Sequence, residues 1–312
     1  MSPAPPQRTR NSKGAEMPFL DHLEELRWRL LKSIAAIIIG AILSLVYSKE
    51  LLGFLTYPYE NAVISMETAG EESPLGALQG MFNRWFKSAA AVLEPVSAAP
   101  AADSLAAQAY SLPPNRRLQA LKPTTYLMLS MQIALMGGLV LALPVVFYQF
   151  WRFVAPGLMP KERRLVVPIV VLSVVCFLIG AAFAYAVVLP TGLLFFLSME
   201  PHGMTSQWAV EEYISFVLWM LVGFGVVFEL PVLALFLSRV GLINADLMRR
   251  MRRYAIVLIF IISAILTPSP DPISQALMAV PLMGLYEISI LICRFGGKKR
   301  PPPEPDPEPD EQ

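Results

Sequence analysis

The chain has 312 residues, 55% of them hydrophobic and only 16% charged, with a formal net charge of +1 and a mean hydropathy of +0.54. So much apolar surface, gathered in long runs, excludes a water-soluble domain and points to an all-α, polytopic integral membrane protein. The net charge decides little, because charge in such a protein is sorted by membrane side rather than summed.

Residues 1–16 (MSPAPPQRTRNSKGAE) are Pro-rich, basic and polar, without an apolar core or a small-residue cleavage site. They read as a disordered cytoplasmic arm, not as a signal peptide. In residues 17–33 (MPFLDHLEELRWRLLKS), Phe19, Leu23, Leu26 and Leu30 share one helical face and Asp21, Glu25 and Arg29 recur at i, i+4 on another. This predicts an amphipathic helix lying along the inner membrane surface and running into the first span. Two readings of its charges stand side by side: a solvated, salt-bridged face, or acids kept for a ligand on a surface where anionic lipid disfavours them.

Six apolar runs follow, Leu30–Tyr47, Tyr126–Trp151, Leu165–Leu189, Tyr213–Leu237, Tyr254–Leu266 and Ala276–Cys293. A helix needs about 20 residues to cross roughly 30 Å of hydrocarbon, so the first four are comfortable. The fifth, with about 13 residues at 1.5 Å rise, covers only roughly 20 Å. Between the first two runs, Ser48–Thr125 is a long loop, in which Ser73 and Pro74 offer an N-cap and a first-turn proline. Leu75, Leu78, Phe82, Trp85 and Phe86 then keep near-helical spacing, which predicts an amphipathic outer helix over 73–94, followed by a mobile Ala/Pro connector over 96–114. Pro168 falls in the first turn of its span, whereas Pro144, Pro231 and Pro281 lie inside spans and predict kinks. The chain thus divides into the 1–16 arm, a membrane domain over 17–296 with a long outer loop over 60–123, and a Pro- and acid-rich tail over 297–312.

Charge separates the two membrane sides. The amino-terminal arm, the 152–164 loop, the 239–253 loop and the tail are rich in Lys and Arg, while Pro190–Glu212 and Thr267–Gln275 have none. The positive-inside bias therefore puts both termini in the cytoplasm; the six cations of the long loop do not count against this, because long loops translocate largely regardless of charge.

Pro144–Arg164 (PVVFYQFWRFVAPGLMPKERR) is the most informative stretch, with aromatic residues Tyr148, Phe150, Trp151 and Phe153 at headgroup level and Glu162 alone among Arg152, Lys161, Arg163 and Arg164. Glu162 either pairs with its neighbours or receives something cationic. Glu229, in GFGVVFELP, stands inside the fourth span, where a carboxylate costs roughly 2.5–3.5 kcal/mol and calls for a partner or a water-filled groove. Glu287 and Gln275 are further polar groups in or beside the sixth span, and Gly223 and Gly225 would admit a close helix. Cys176 and Cys293 lie in apolar runs and support neither a disulfide framework nor a thiolate metal site. With only His22 and His202, and no H-E-x-x-H, phosphate-binding loop or nucleophile elbow, the machinery of a hydrolase, ATPase or metalloprotease is missing. No enzyme activity, cofactor, metal or nucleic-acid partner is expected.

FLDHLEELRWRL, LPVVFYQFWRFVAPGLMPKERR, GAAFAYAVVLP, GFGVVFELPV, ILTPSPDPISQ and AVPLMGLYEI, in this order over nearly all of residues 17–296, resemble the pattern of the TatC family, the multi-spanning receptor subunit of twin-arginine protein translocases. The resemblance implies a cup-shaped bundle of six transmembrane helices in the cytoplasmic (inner) membrane of a bacterium. Such a protein recognises twin-arginine signal peptides of folded precursors, assembles with single-span TatA- and TatB-type partners and with further copies of itself, and draws on the proton-motive force. It also implies a signal-peptide site at Glu25, Arg27, Phe153, Glu162, Arg163 and Arg164, and partner or translocation sites at Pro58, Glu229, Thr267, Asp271 and Gln275. The loop over 60–123 is longer than the family pattern explains. Two guanidinium forks match two carboxylates that each accept parallel hydrogen bonds, and Glu25 and Glu162 fit that need. The alternatives are a small-molecule secondary transporter using Glu229 and Glu287, for which the chain lacks internal repeats, and a membrane scaffold, which needs neither inner-face acid.

Overall fold

The computed structural model describes residues 19–69, 116–154, 166–199, 207–267 and 272–296. The arm over 1–16, the outer helix expected over 73–94, the residues Glu162, Arg163, Arg164 and Asp271, and the tail lie outside the described residues. Regular structure within them is helical, apart from one parallel bridge between Gln119 and Ala209.

Helix α1 (Phe19–Val46) is uninterrupted. The expected amphipathic turns run without a break into the first span. Helix α2 (Ser48–Ala69) begins after a turn at Tyr47 and carries Pro58 inside it. The sequence reading predicts loop here, but Leu55, Tyr59, Ala62 and Val63 recur at helical spacing and are buried as one stripe. Helix α3 (Thr125–Val154) returns along α1. Their crossing is built from glycine: a Cβ on Gly40 would lie 2.7 Å from the Gly138 carbonyl oxygen, and one on Gly138 would strike the backbone of Ile37 and Ala41. Small residues let two backbones touch where lipid gives no hydrophobic drive for helix association.

Helix α4 (Val166–Phe183) is expected to end before Pro190, yet the helical path continues. Pro190 has no N–H for the carbonyl four residues back, and its ring collides with it. The ladder instead widens to a π turn over Ala184–Val188, in which Leu189 N–H donates to the Ala184 carbonyl, and Pro190 then sits in the first turn of α5 (Leu189–Ser198).

Helix α6 (Val210–Val227) breaks at Phe228 and Glu229, and α7 (Leu230–Val240) begins with Pro231 in its first turn. Here the ladder tightens, with Glu229 N–H bonding to the Val226 carbonyl at 3.1 Å, so the irregularity expected at Pro231 falls on the turn just before it. Gly241, at φ +84°, ends α7 in the left-handed conformation that glycine adopts without strain. The basic 239–253 stretch holds a short helix α8 (Ala245–Arg250), capped by Asn244 Oδ1 accepting from Leu247 N–H at 2.7 Å. Helix α9 (Arg252–Leu266) and helix α10 (Pro272–Gly296) complete the bundle.

Among the described residues, five stretches are long and apolar enough to cross a membrane: Leu23–Val46, Thr125–Val154, Val166–Ser198, Val210–Val240 and Pro272–Phe295. Helix α9, at 15 residues, falls short of that length. One core, containing Tyr59, Leu193, Tyr213, Met220, Phe224 and Leu282, joins α2, α5, α6 and α10; a second, around Trp151, Ile169, Val232 and Phe236, joins the far ends of α3 and α7 to the start of α4.

The α1–α3 crossing predicts a contrast between glycines. Gly138→Val forces backbone against backbone and should cost about 1–3 kcal/mol, seen as a lower unfolding temperature of the purified protein in detergent. Gly192→Ala, where an added Cβ meets nothing within 4 Å, should be neutral or slightly stabilising.

Candidate functional site

Antiparallel packing gathers the start of α1, the end of α3, the start of α4, the end of α7 and α8 at one end of the bundle, and arginines crowd it. On α1, Arg29 Nε donates to Glu25 Oε1 at 3.1 Å and its Nη2 reaches the same oxygen. This is the i, i+4 ion pair of the salt-bridged reading, formed one turn apart on a helix. The other carboxylate oxygen, Glu25 Oε2, is buried and accepts no hydrogen bond among the described residues. Arg27 is exposed on the neighbouring face, and Phe153 is half-buried on the last turn of α3. The structure thus brings Glu25, Arg27 and Phe153 to one end. Beside Phe153, Arg152 lies over the Tyr148 ring, its guanidinium 5.6 Å from the centroid, and donates to that hydroxyl at 2.6 Å.

Glu229 sits deeper, at the break between α6 and α7. It is only 7% exposed and turned inward against Ser173 of α4, while its Oε1 has no partner among the described residues. Ser173 also receives Trp151 Nε1–H at 2.9 Å, so one hydroxyl links the span carboxylate to the aromatic end of α3. Glu287 has a different partner: Arg252 Nη2 donates to its Oε2 at 2.6 Å. The two carboxylates do not form a pair.

The opposite end is organised by α2. Pro58 and Glu60 are buried there, and Tyr59 Oη donates to the Arg116 carbonyl at 3.1 Å. The 116–124 segment is tied down by Gln119, whose N–H bonds to the Trp208 carbonyl at 2.9 Å and whose carbonyl accepts from Val210 at 3.0 Å. Glu211 accepts from Thr125 Oγ1 and pairs with Lys122 at 3.5 Å. Thr267, 8% exposed, caps the end of α9 by donating to the Ser263 carbonyl at 3.0 Å. Gln275 Nε2 donates to the Phe260 carbonyl at 2.7 Å, fastening α10 to α9. Thr267 and Gln275 therefore both bond to backbone carbonyls of α9.

Glu60 is a residue that spacing did not single out, because its surroundings come from other elements. Burial pushes its carboxyl above the ordinary value near 4.5, against the opposing pull of the Thr56 hydroxyl, and its Oε2 has no partner among the described residues.

Comparison with known proteins gives a consistent result. Residues 21–281 match the family model described as Sec-independent protein translocase protein (TatC). The chain is 34% identical over 283 residues to the Sec-independent protein translocase protein TatC of Desulforapulum autotrophicum, covering 91% of this chain and 86% of that one. It is 33% identical over 294 residues to the protein of the same name in Deinococcus radiodurans, covering 94% and 90%. A crystal structure described as the twin-arginine translocase receptor TatC superposes with a TM-score of 0.65 at 32% identity, over 88% of this chain and 99% of that chain.

Glu60 generates a pH prediction. A carboxyl whose folded value is raised stabilises the fold fully below its unfolded value and loses that contribution as pH rises through the folded value. Glu60→Gln should therefore unfold at higher temperature than the parent protein near neutral pH, and the difference should shrink as pH falls toward the ordinary carboxyl value; melts across that range check it.

Proposed function

Because this chain belongs to the TatC family of Sec-independent protein translocase proteins, we propose that it is the receptor subunit of a twin-arginine translocase, binding twin-arginine signal peptides at its arginine-rich end. It is a multi-pass protein of the inner membrane and a translocase component, not an enzyme. In this reading both termini face the cytoplasm and α9 is a short additional span, so six helices cross the membrane. TatA- and TatB-type single-span proteins are its partners, and several copies assemble in the receptor complex.

The observation that carries the reading is Glu25 Oε2, which has no partner among the described residues and lies next to Arg29. A carboxylate with one oxygen held by Arg29 and the other unused offers a guanidinium a preset acceptor. Arg27, Phe153, Glu162, Arg163 and Arg164 complete the proposed peptide site. Pro58, Glu229, Thr267, Asp271 and Gln275 serve later steps of partner contact and translocation. The secondary-transporter reading is weakened by the separate partners of Glu229 and Glu287. The insertion expected over 60–123 is narrowed at its start, because α2 runs on to Ala69.

Binding of a purified twin-arginine precursor to the protein in detergent or vesicles tests the site. Glu25→Gln and Glu162→Ala should each weaken binding, from a fewfold if the bond is exposed to over a hundredfold if it is shielded, with insertion unchanged. Wild-type affinity in Glu162→Ala would sink the assignment.

Glu229→Ala should behave differently: export of a precursor into vesicles falls while precursor binding stays near the parent value. Equal loss of both would move Glu229 into the recognition site.

A further inference from the structure

Helix α2 has a proline at its middle, and two tyrosines from other helices end on the carbonyls that this proline disturbs. In a regular ladder residue 58 would donate to the Phe54 carbonyl, but Pro58 has no N–H and its ring crowds that oxygen. Tyr185 Oη–H donates to the Phe54 carbonyl instead, at 2.6 Å. Its ring lies flat on Phe54, 4.3 Å between centroids and 8° between planes. One rung on, Tyr213 Oη–H donates to the Leu55 carbonyl at 2.9 Å and receives the Tyr59 backbone N–H. A hydroxyl both donates and accepts, so Tyr213 stands inside the Leu55–Tyr59 rung. Leu55, Tyr59 and Tyr213 are 6%, 1% and 1% exposed, which leaves no room for water to replace the Tyr213 hydroxyl there, and a buried carbonyl without a donor is costly.

The two donors are aimed by features already met. Tyr185 lies within the π turn that Pro190 imposes on the third span, and a π turn rotates side chains out of their α-helical register. Tyr213 occupies the first turn of α6, next to the bridge that ties Gln119 to Ala209. One proline opens the ladder of α2, and a second, on another helix, turns a hydroxyl toward the opening.

We propose that Tyr185 and Tyr213 are positioning residues that seat α2 on the bundle by completing the backbone ladder Pro58 interrupts, and that this seat serves the transport step after precursor recognition. The second half rests on the translocase reading above; the first half does not.

A double-mutant cycle on the full chain tests the seat. Backbone hydrogen exchange over residues 51–63 is measured for Tyr185→Phe, Pro58→Ala and the pair, with exchange in α6 as the control for folding. Tyr185→Phe keeps the stacked ring and should speed exchange about two- to tenfold. In the Pro58→Ala background the N–H restored at position 58 takes up the Phe54 carbonyl, so the same substitution should change exchange by less than about twofold. Equal effects in both backgrounds, or none in the parent, overturn the seat. Tyr213→Phe should also speed exchange over 51–63; should that variant fail to fold, the Tyr185 cycle alone decides. Export into vesicles is then read beside precursor binding: both Tyr→Phe variants should lower export with binding unchanged. Faster exchange with unaltered export overturns the transport role alone, and a parent protein that binds no twin-arginine precursor overturns the functional reading while leaving the exchange result standing.

Discussion

Hydrocarbon offers no water to an unpaired N–H or C=O, so every backbone group in a span must find its partner inside the protein. This constraint explains why the prolines of this chain matter more than its charges for its shape. Pro190 is met by widening the ladder to a π turn, Pro231 by tightening it at Glu229 and restarting as a new helix, and Pro58, on the outer helix, by hydroxyls borrowed from elsewhere. Each solution places a particular side chain. The break at Pro231 leaves Glu229 at a helix junction facing Ser173, and the π turn presents Tyr185.

The same low dielectric sorts the ionisable groups. Arginines collect at one end of the bundle, where Arg252 takes Glu287 and Arg29 takes Glu25. Among the described residues, the buried carboxylates Glu60 and Glu229 each keep an oxygen without a partner, a costly condition in an apolar interior. They sit on different elements and at different depths, so the bundle separates an arginine-rich rim from a deep carboxylate and an outer one. A substitution at the rim therefore need not disturb the deeper carboxylate, nor the reverse.

Much of this is legible from residue order. Long apolar runs place the membrane helices because length and hydropathy depend on local composition alone, and the i, i+4 spacing of Glu25 and Arg29 anticipates their pair. Errors fall where local rules meet tertiary ones. Pro190 looks like a stop because proline usually is one, yet a π turn lets the helix run on to Ser198. Helix α2 reads as loop because Glu50, Pro58 and Glu60 obscure it, although its stripe of Leu55, Tyr59, Ala62 and Val63 is present in the sequence. The partners of Glu229 and of the Phe54 and Leu55 carbonyls are beyond reach, since Ser173, Tyr185 and Tyr213 lie far along the chain and only packing brings them near.

The seam between α1 and α3 also sets a schedule for synthesis. Helix α1 leans chiefly on α3, and only 11% of its apolar window is buried, so most of it looks outward. Its glycine face finds Gly137 and Gly138 only after the whole 47–124 stretch has left the ribosome. At roughly 5–20 residues per second, the newborn first span waits alone in lipid for several seconds, its Gly40 notch open to any other small-residue helix that drifts past.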